Sequence, residues 1–139
     1  MRSSPGSLLW QVSNRWQAAQ RAALEPLGLT HVRFVALASL AWLESEGPIT
    51  QRRLAEHAAL DVMMTSQVLR ALEHDQLIER LVHPTDARAR ALRTTPQGRA
   101  LARRAIAVVE QCDQDFFAPL GSEPDELIRA LGVLADAAA

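Results

Sequence analysis

The residues with the most chemistry to offer are the arginines. All 15 basic residues of the 139-residue chain are Arg, and no Lys is present. Arg pairs bidentately with phosphate and with guanine edges, which a Lys point charge does not do. The formal net charge of −1 hides an uneven distribution: about +1 over residues 1–49, +4 over 50–104 and −6 over 105–139. A basic middle with an acidic tail fits a nucleic-acid reader whose ends serve another purpose; codon bias in a GC-rich genome is the other explanation of the Arg excess. Catalytic and metal chemistry find little support. The four histidines (His31, His57, His74, His83) are scattered, with no two at metal-ligand spacing, and Cys112 is the single cysteine. Glu56-His57 and Glu73-His74 are adjacent pairs, which do not face each other on a helix. No nucleotide-binding glycine loop, nucleophile elbow or HExxH segment is present. The expectation is a non-enzyme with no metal and no cofactor.

The elements that must position these residues are mostly helical. Leu8, Val12, Trp16 and Ala19 recur at helical steps from Ser7 to about Leu24, and Pro26 and Gly28 end that helix. Thr30 can cap a second helix to about Glu46, apolar almost all round and therefore central to its domain. Gly47-Pro48 breaks it, and Ile49 is extended. Thr50 caps a short third helix with Leu54, Ala55 and Ala58 inward. Asp61 caps a fourth, with Thr65, Val68, Leu69 and Leu72 inward and Met64, Ser66, Gln67, Arg70 and His74 outward. The period then changes to two over Ile78–His83. Pro84-Thr85-Asp86 is turn chemistry, and Ala89–Thr94 returns as a strand, with Arg90 and Leu92 on one face and Ala91 and Arg93 on the other. Thr95-Pro96 opens a fifth helix to about Phe117. Ser122 with Asp125 resembles a capping box opening a last helix striped by Leu127, Leu131 and Leu134. Two helices across a short turn followed at once by a hairpin make a winged helix-turn-helix. The fold class is mainly α with a small β-hairpin wing, flanked by long N- and C-terminal helices. The whole of 1–139 reads as a single winged helix-turn-helix chain. No apolar run is long enough for a membrane span and no signal peptide is visible, so a soluble cytoplasmic protein with no membrane partner is expected.

Leu60 to Leu101 closely resembles the core of the MarR (multiple antibiotic resistance regulator) family of bacterial transcription factors. Leu72-Glu73 at the end of the recognition helix, Asp86-Ala87-Arg88 in the wing and Thr95-Pro96-Gln97-Gly98-Arg99 fall in step with that family's pattern. The upstream segment EPLGLTHVRFVAL is similar to its first-to-second helix junction. Three positions depart from it. Gln76 stands where Gly is usual after the recognition helix, Ala87 where the wing has a second Arg, and Gln67 where Arg is frequent. A positive φ at Gln76 would cost of order 1 kcal/mol.

The resemblance implies a transcriptional regulator, commonly a repressor, that binds double-stranded DNA as a homodimer on a pseudo-palindromic operator. Residues of about 30–95 would form the DNA-binding winged helix, and about 7–27 and 96–139 the dimerisation helices. Ser66, Gln67 and Arg70, with Met64, would face base edges in the major groove. Thr50, Gln51 and Arg52 would meet phosphate, and Arg88 and Arg90 would reach the minor groove with Asp86 orienting Arg88. Candidate dimer contacts are Leu8, Leu9, Val12, Phe116, Phe117, Leu127, Leu131 and Leu134. A small aromatic effector is expected between the dimerisation helices and the winged helix, among Trp16, His31, Phe34 and Trp42, with Arg33 or Arg15 as counter-charge. Phe34 and Trp42 are also natural core fillers. Cys112, on the apolar stripe of the fifth helix, is expected to be a small buried apolar residue; an oxidant-sensing role is the alternative, as is a winged-helix module that binds protein instead of DNA.

Overall fold

The computed structural model describes residues 4–82, 84–85 and 90–138. Helix α1 spans Pro5–Leu24, α2 His31–Leu43, α3 Gln51–Ala58, α4 Val62–His74, α5 Pro96–Phe117 and α6 Asp125–Ala138. Strands β1 (Ile49–Thr50), β2 (Ile78–Val82) and β3 (Arg90–Thr94) form one antiparallel sheet in the order β1-β3-β2. This is the winged helix-turn-helix, with the extended residue at Ile49 recruited as a third strand: Leu92 pairs with Ile49 on one side and Arg80 on the other.

Most helix starts lie where side-chain caps were expected, because a cap is satisfied within one turn. The hydroxyls of Thr30, Thr50 and Thr95 accept the backbone N–H of Arg33, Arg53 and Gly98 at 3.2, 3.1 and 3.0 Å, and the Asp61 carboxylate accepts that of Met64 at 2.7 Å. Three boundaries differ. Ser4, followed by Pro5, caps α1 earlier than Ser7. The second helix ends as α at Leu43, and Glu44–Glu46 tighten into a 3₁₀ turn before Gly47. The last helix begins at Asp125, directly after Pro124, and no capping box closes on Ser122 among the described residues.

The core gathers around α2. Leu37, Leu40 and Leu43 are fully buried against Leu54 of α3, Leu69 and Leu72 of α4, and Ile78 and Leu92 of the sheet. A smaller cluster of Leu24, Leu29 and Ala105 ties α1 to α5. The helix is not apolar inward on every side, however: Trp42 is 72% exposed and does not fill the core. Alternation in β3 is also incomplete, since Ala91 and Leu92 are both buried. The buried Thr94 is satisfied by Glu44, whose carboxylate accepts its hydroxyl at 2.6 Å and its N–H at 3.2 Å, fastening the sheet to the end of α2.

Both turns that leave the helix-turn-helix helices are left-handed at a residue with a side chain. Ala59 has φ 56° and Gln76 has φ 61°. In each case a 6→1 bond closes the turn: Leu60 N–H to Ala55 C=O at 3.0 Å, and Leu77 N–H to Leu72 C=O at 2.9 Å. The strain anticipated at Gln76 is therefore present. Among the described residues no single helix is long and apolar enough to cross a membrane.

Candidate nucleic-acid interface

Helix α4 presents two faces. Thr65, Val68, Leu69 and Leu72 are buried, while Met64, Gln67 and Arg70 are exposed and Ser66 is half-buried beside them. The four outward candidates thus share one side of one helix, anchored by a continuous apolar side. Val62 and Met63, which the sequence reading did not single out, are each 75% exposed at the helix's first turn. Apolar side chains there are suited to thymine methyl groups.

The three residues at the start of α3 are not equivalent. The Thr50 hydroxyl is engaged as helix cap. The side chain of Arg52 is 91% exposed and lies 3.2 Å from Glu56, an exposed i,i+4 pair of little energetic weight. Gln51 is taken up by protein partners: its Nε2 donates to Ser66 Oγ at 2.8 Å, and its Oε1 accepts from Arg80 Nη1 at 3.3 Å. Arg80 Nε in turn lies 3.6 Å from Glu73. The local spacing of Arg80 and Glu73 gives no sign of this role, because the partners come together from three elements.

In the wing, Arg90 is exposed at the start of β3, across from Val82. Arg93 and Glu79 are cross-strand partners and pair with each other. Asp86, Ala87 and Arg88 lie outside the described residues.

A second constellation lies where α1, α2 and α5 meet. Trp16 and His31 are edge to face with centroids 5.1 Å apart, and His31 stacks on Phe34 at 6.4 Å. These three expected residues do come together. Trp42 does not join them, because it sits two turns along α2 on an outward side. The charged group bonded into this seam is an acid: Asp113 Oδ1 accepts both Trp16 Nε1 and Gln20 Nε2 at 2.8 Å. Gln20 is fully buried and its Oε1 has no partner among the described residues. Neither Arg33 nor Arg15 is bonded to these aromatic residues. Burial pulls the His31 imidazole below its ordinary pKa; Asp113 opposes this and Arg21 reinforces it. Cys112, next to Asp113, is half-buried rather than buried, and burial together with Asp113 and Asp115 pushes its thiol up.

Beside the seam, an apolar groove of about 410 Å³ runs between α1, α5 and α6, lined by Leu8, Leu9, Val12, Trp16, Phe117, Leu127 and Leu131. Leu8, Leu9, Val12, Leu131 and Leu134 remain largely exposed, and Phe116 and Phe117 are half-buried edge to face at 5.0 Å. Trp10, Ile128 and Val133 are exposed as well, Trp10 at 71%. These three were missed because they fall beside the helical stripes that the spacing picks out.

The MarR family model matches residues 29–89. The chain is 41% identical over 117 residues to the uncharacterised HTH-type transcriptional regulator YdcH of Bacillus subtilis, covering 84% of this chain and 80% of that one. The structure of the Mycobacterium tuberculosis MarR family protein Rv2887 in complex with salicylic acid is 34% identical, covers 95% of this chain and 96% of its own, and superposes with a TM-score of 0.71. Bordetella bronchiseptica BpsR, whose DNA binding is regulated by 6-hydroxynicotinic acid, is 25% identical, with coverage of 98% and 94% and a TM-score of 0.82. At 41% identity to YdcH and 34% to a MarR family protein of the same fold, each over most of both chains, the chain belongs to the MarR family of transcription regulators.

Proposed function

We propose that the protein is a homodimeric repressor that binds a pseudo-palindromic DNA operator and is released by a small aromatic effector in the cell's cytoplasm. The observation that carries this reading is the α4 face. Met64, Gln67 and Arg70 project from a helix whose opposite side is locked into the core. Gln matches adenine and Arg matches guanine in the major groove. Arg52 supplies a phosphate contact, and Arg90 with Arg88 supplies the wing's contact.

The unsatisfied apolar surface of α1 and α6 calls for a second copy of the chain. Exposed residues on both helices, from Leu8 and Trp10 to Leu131 and Leu134, exceed what a monomer leaves bare without reason. On this reading residues of about 30–95 read DNA, and about 7–27 and 96–139 join the two protomers. A two-fold dimer sets its recognition helices about one DNA turn apart.

The effector's place is the seam of Trp16, His31 and Phe34. Relatives bind salicylic acid or respond to 6-hydroxynicotinic acid, both aromatic acids with a hydroxyl group. Here Asp113 favours a ligand that brings a donor to the seam over one that brings a carboxylate to it. A ligand that prefers a dimer with wrongly spaced recognition helices lowers DNA affinity by its differential affinity for that state.

Gel shifts on the DNA flanking the protein's own gene, with light scattering for the dimer, test the reading. Gln67→Ala and Arg70→Ala should each cost roughly 1–3 kcal/mol of discrimination at one base pair per half-site. A monomer at micromolar concentration, or a wild-type protein that binds all duplexes alike, refutes it.

A further inference from the structure

The polar chain beneath α4, one ion pair followed by two hydrogen bonds, has a direction. It begins and ends on α4: Glu73 holds Arg80 of β2, Arg80 donates to Gln51 Oε1, and Gln51 Nε2 donates to Ser66 Oγ. Glu73 and Ser66 are seven residues apart, two turns along the same side of the helix. Arg80 has a side chain only 24% exposed.

A guanidinium only donates, so the Gln51 amide must turn its oxygen to Arg80 and its nitrogen to Ser66. Ser66 Oγ is then the acceptor in that bond. A hydroxyl that accepts keeps its hydrogen for someone else. The Ser66 hydroxyl makes no other hydrogen bond among the described residues. We infer that Arg80 and Gln51 are positioning residues that fix Ser66 as an outward hydrogen-bond donor, so that each operator half-site carries a major-groove acceptor opposite it.

This rests on α4 being the base-reading helix. The acceptors available in the major groove are guanine N7 and O6, adenine N7 and thymine O4; cytosine offers only a donor. The inference therefore excludes cytosine as the base that meets Ser66. It also assigns a specificity role to Arg80, which touches no DNA in this scheme.

The test is selection of bound duplexes from a randomised DNA pool by the full-length wild-type protein and four variants, with thermal melting of each. Wild type should enrich half-sites with an acceptor-bearing base at one fixed position. Ser66→Ala should relax that position by about 3–10-fold, the worth of one hydrogen bond, and leave the others. Arg80→Met should relax the same position, because the amide loses its orienting donor, and Arg80→Lys should restore it. Gln51→Glu is decisive. Its carboxylate only accepts, so Ser66 must turn its hydrogen inward and present only lone pairs outward. Selection at that position should then shift towards cytosine N4 or adenine N6 donors. The inference is overturned if Ser66→Ala leaves every position unchanged. It is equally overturned if Arg80→Met weakens all sequences alike, as a phosphate contact does, or if Gln51→Glu keeps the wild-type preference. A wild-type protein that enriches no sequence withdraws the proposed function itself, and the relay with it.

Discussion

Replacing Gly98 by Ala should destabilise the fold by about 1–5 kcal/mol, against the ordinary trend for a helix. Within a helix Gly→Ala gains about 1 kcal/mol from propensity alone. Gly98 lies in the first turn of α5, where the backbone of Leu77 crosses it. A Cβ at Gly98 would stand 1.8 Å from the Leu77 carbonyl oxygen and 2.7 Å from its carbon, both distances no real contact shows. The neighbour is backbone, and it is tethered: Leu77 C=O accepts the Thr95 N–H at 3.0 Å. Thr95 is tied a second time, its hydroxyl donating to Gln76 C=O at 2.7 Å while accepting the Gly98 N–H at 3.0 Å. Making room means driving α5 from the α4–β2 turn. Overpacking costs about 1–3 kcal/mol, and each hydrogen bond lost about 0.5–1.5 kcal/mol. Losing the two bonds to Leu77 and Gln76, less the propensity gain, leaves a net loss in the stated range. Urea unfolding at fixed protein concentration reads it as a lower midpoint with an unchanged slope. A Gly98→Ala protein as stable as wild type, or more so, would refute the argument that close approach, rather than conformational freedom, requires glycine here.

The left-handed turns point the opposite way: Gln76→Gly and Ala59→Gly should each raise stability by about 0.5–1 kcal/mol in the same assay, since φ of 61° and 56° strains a side-chain-bearing residue. The lowered His31 pKa makes its contribution to stability complete above the unfolded-chain value of 6.5 and lost as pH falls through the depressed folded value. His31→Gln should therefore flatten the fall in melting temperature below that pH, and an unchanged profile would show that His31 does not govern it. Cys112 should react slowly with iodoacetamide at neutral pH and speed up only above the usual thiol range, since burial, Asp113 and Asp115 all disfavour the thiolate; rapid labelling of the native protein at pH 7 would contradict this and favour an oxidant sensor.

What the chain's own order of residues determines here is whatever closes within a turn of backbone. Thr30, Thr50, Asp61 and Thr95 cap their helices because a side chain three residues from an orphan N–H needs no tertiary help. The inward stripe of α4 is likewise local, and with it the outward placement of Gln67 and Arg70. Periodicity names a face but not what lies across from it. Trp16 meets Asp113 across 97 residues, Thr94 meets Glu44 across 50, and Gln51 meets Arg80 across 29. Each of these polar partners reads as a solvated residue on its own element. Ile49 became a strand only because Leu92 offered it an edge, and Trp42 turned outward because α2 spends its inward positions on Leu37, Leu40 and Leu43. The need for glycine at position 98 belongs to the same class. A motif can mark the residue, but only the packing of β2's approach against α5 puts a carbonyl where a methyl group would be. Hydrogen-bond partners and steric limits between distant segments depend on the three-dimensional path of the backbone, and that path is decided by the collective burial of the apolar faces.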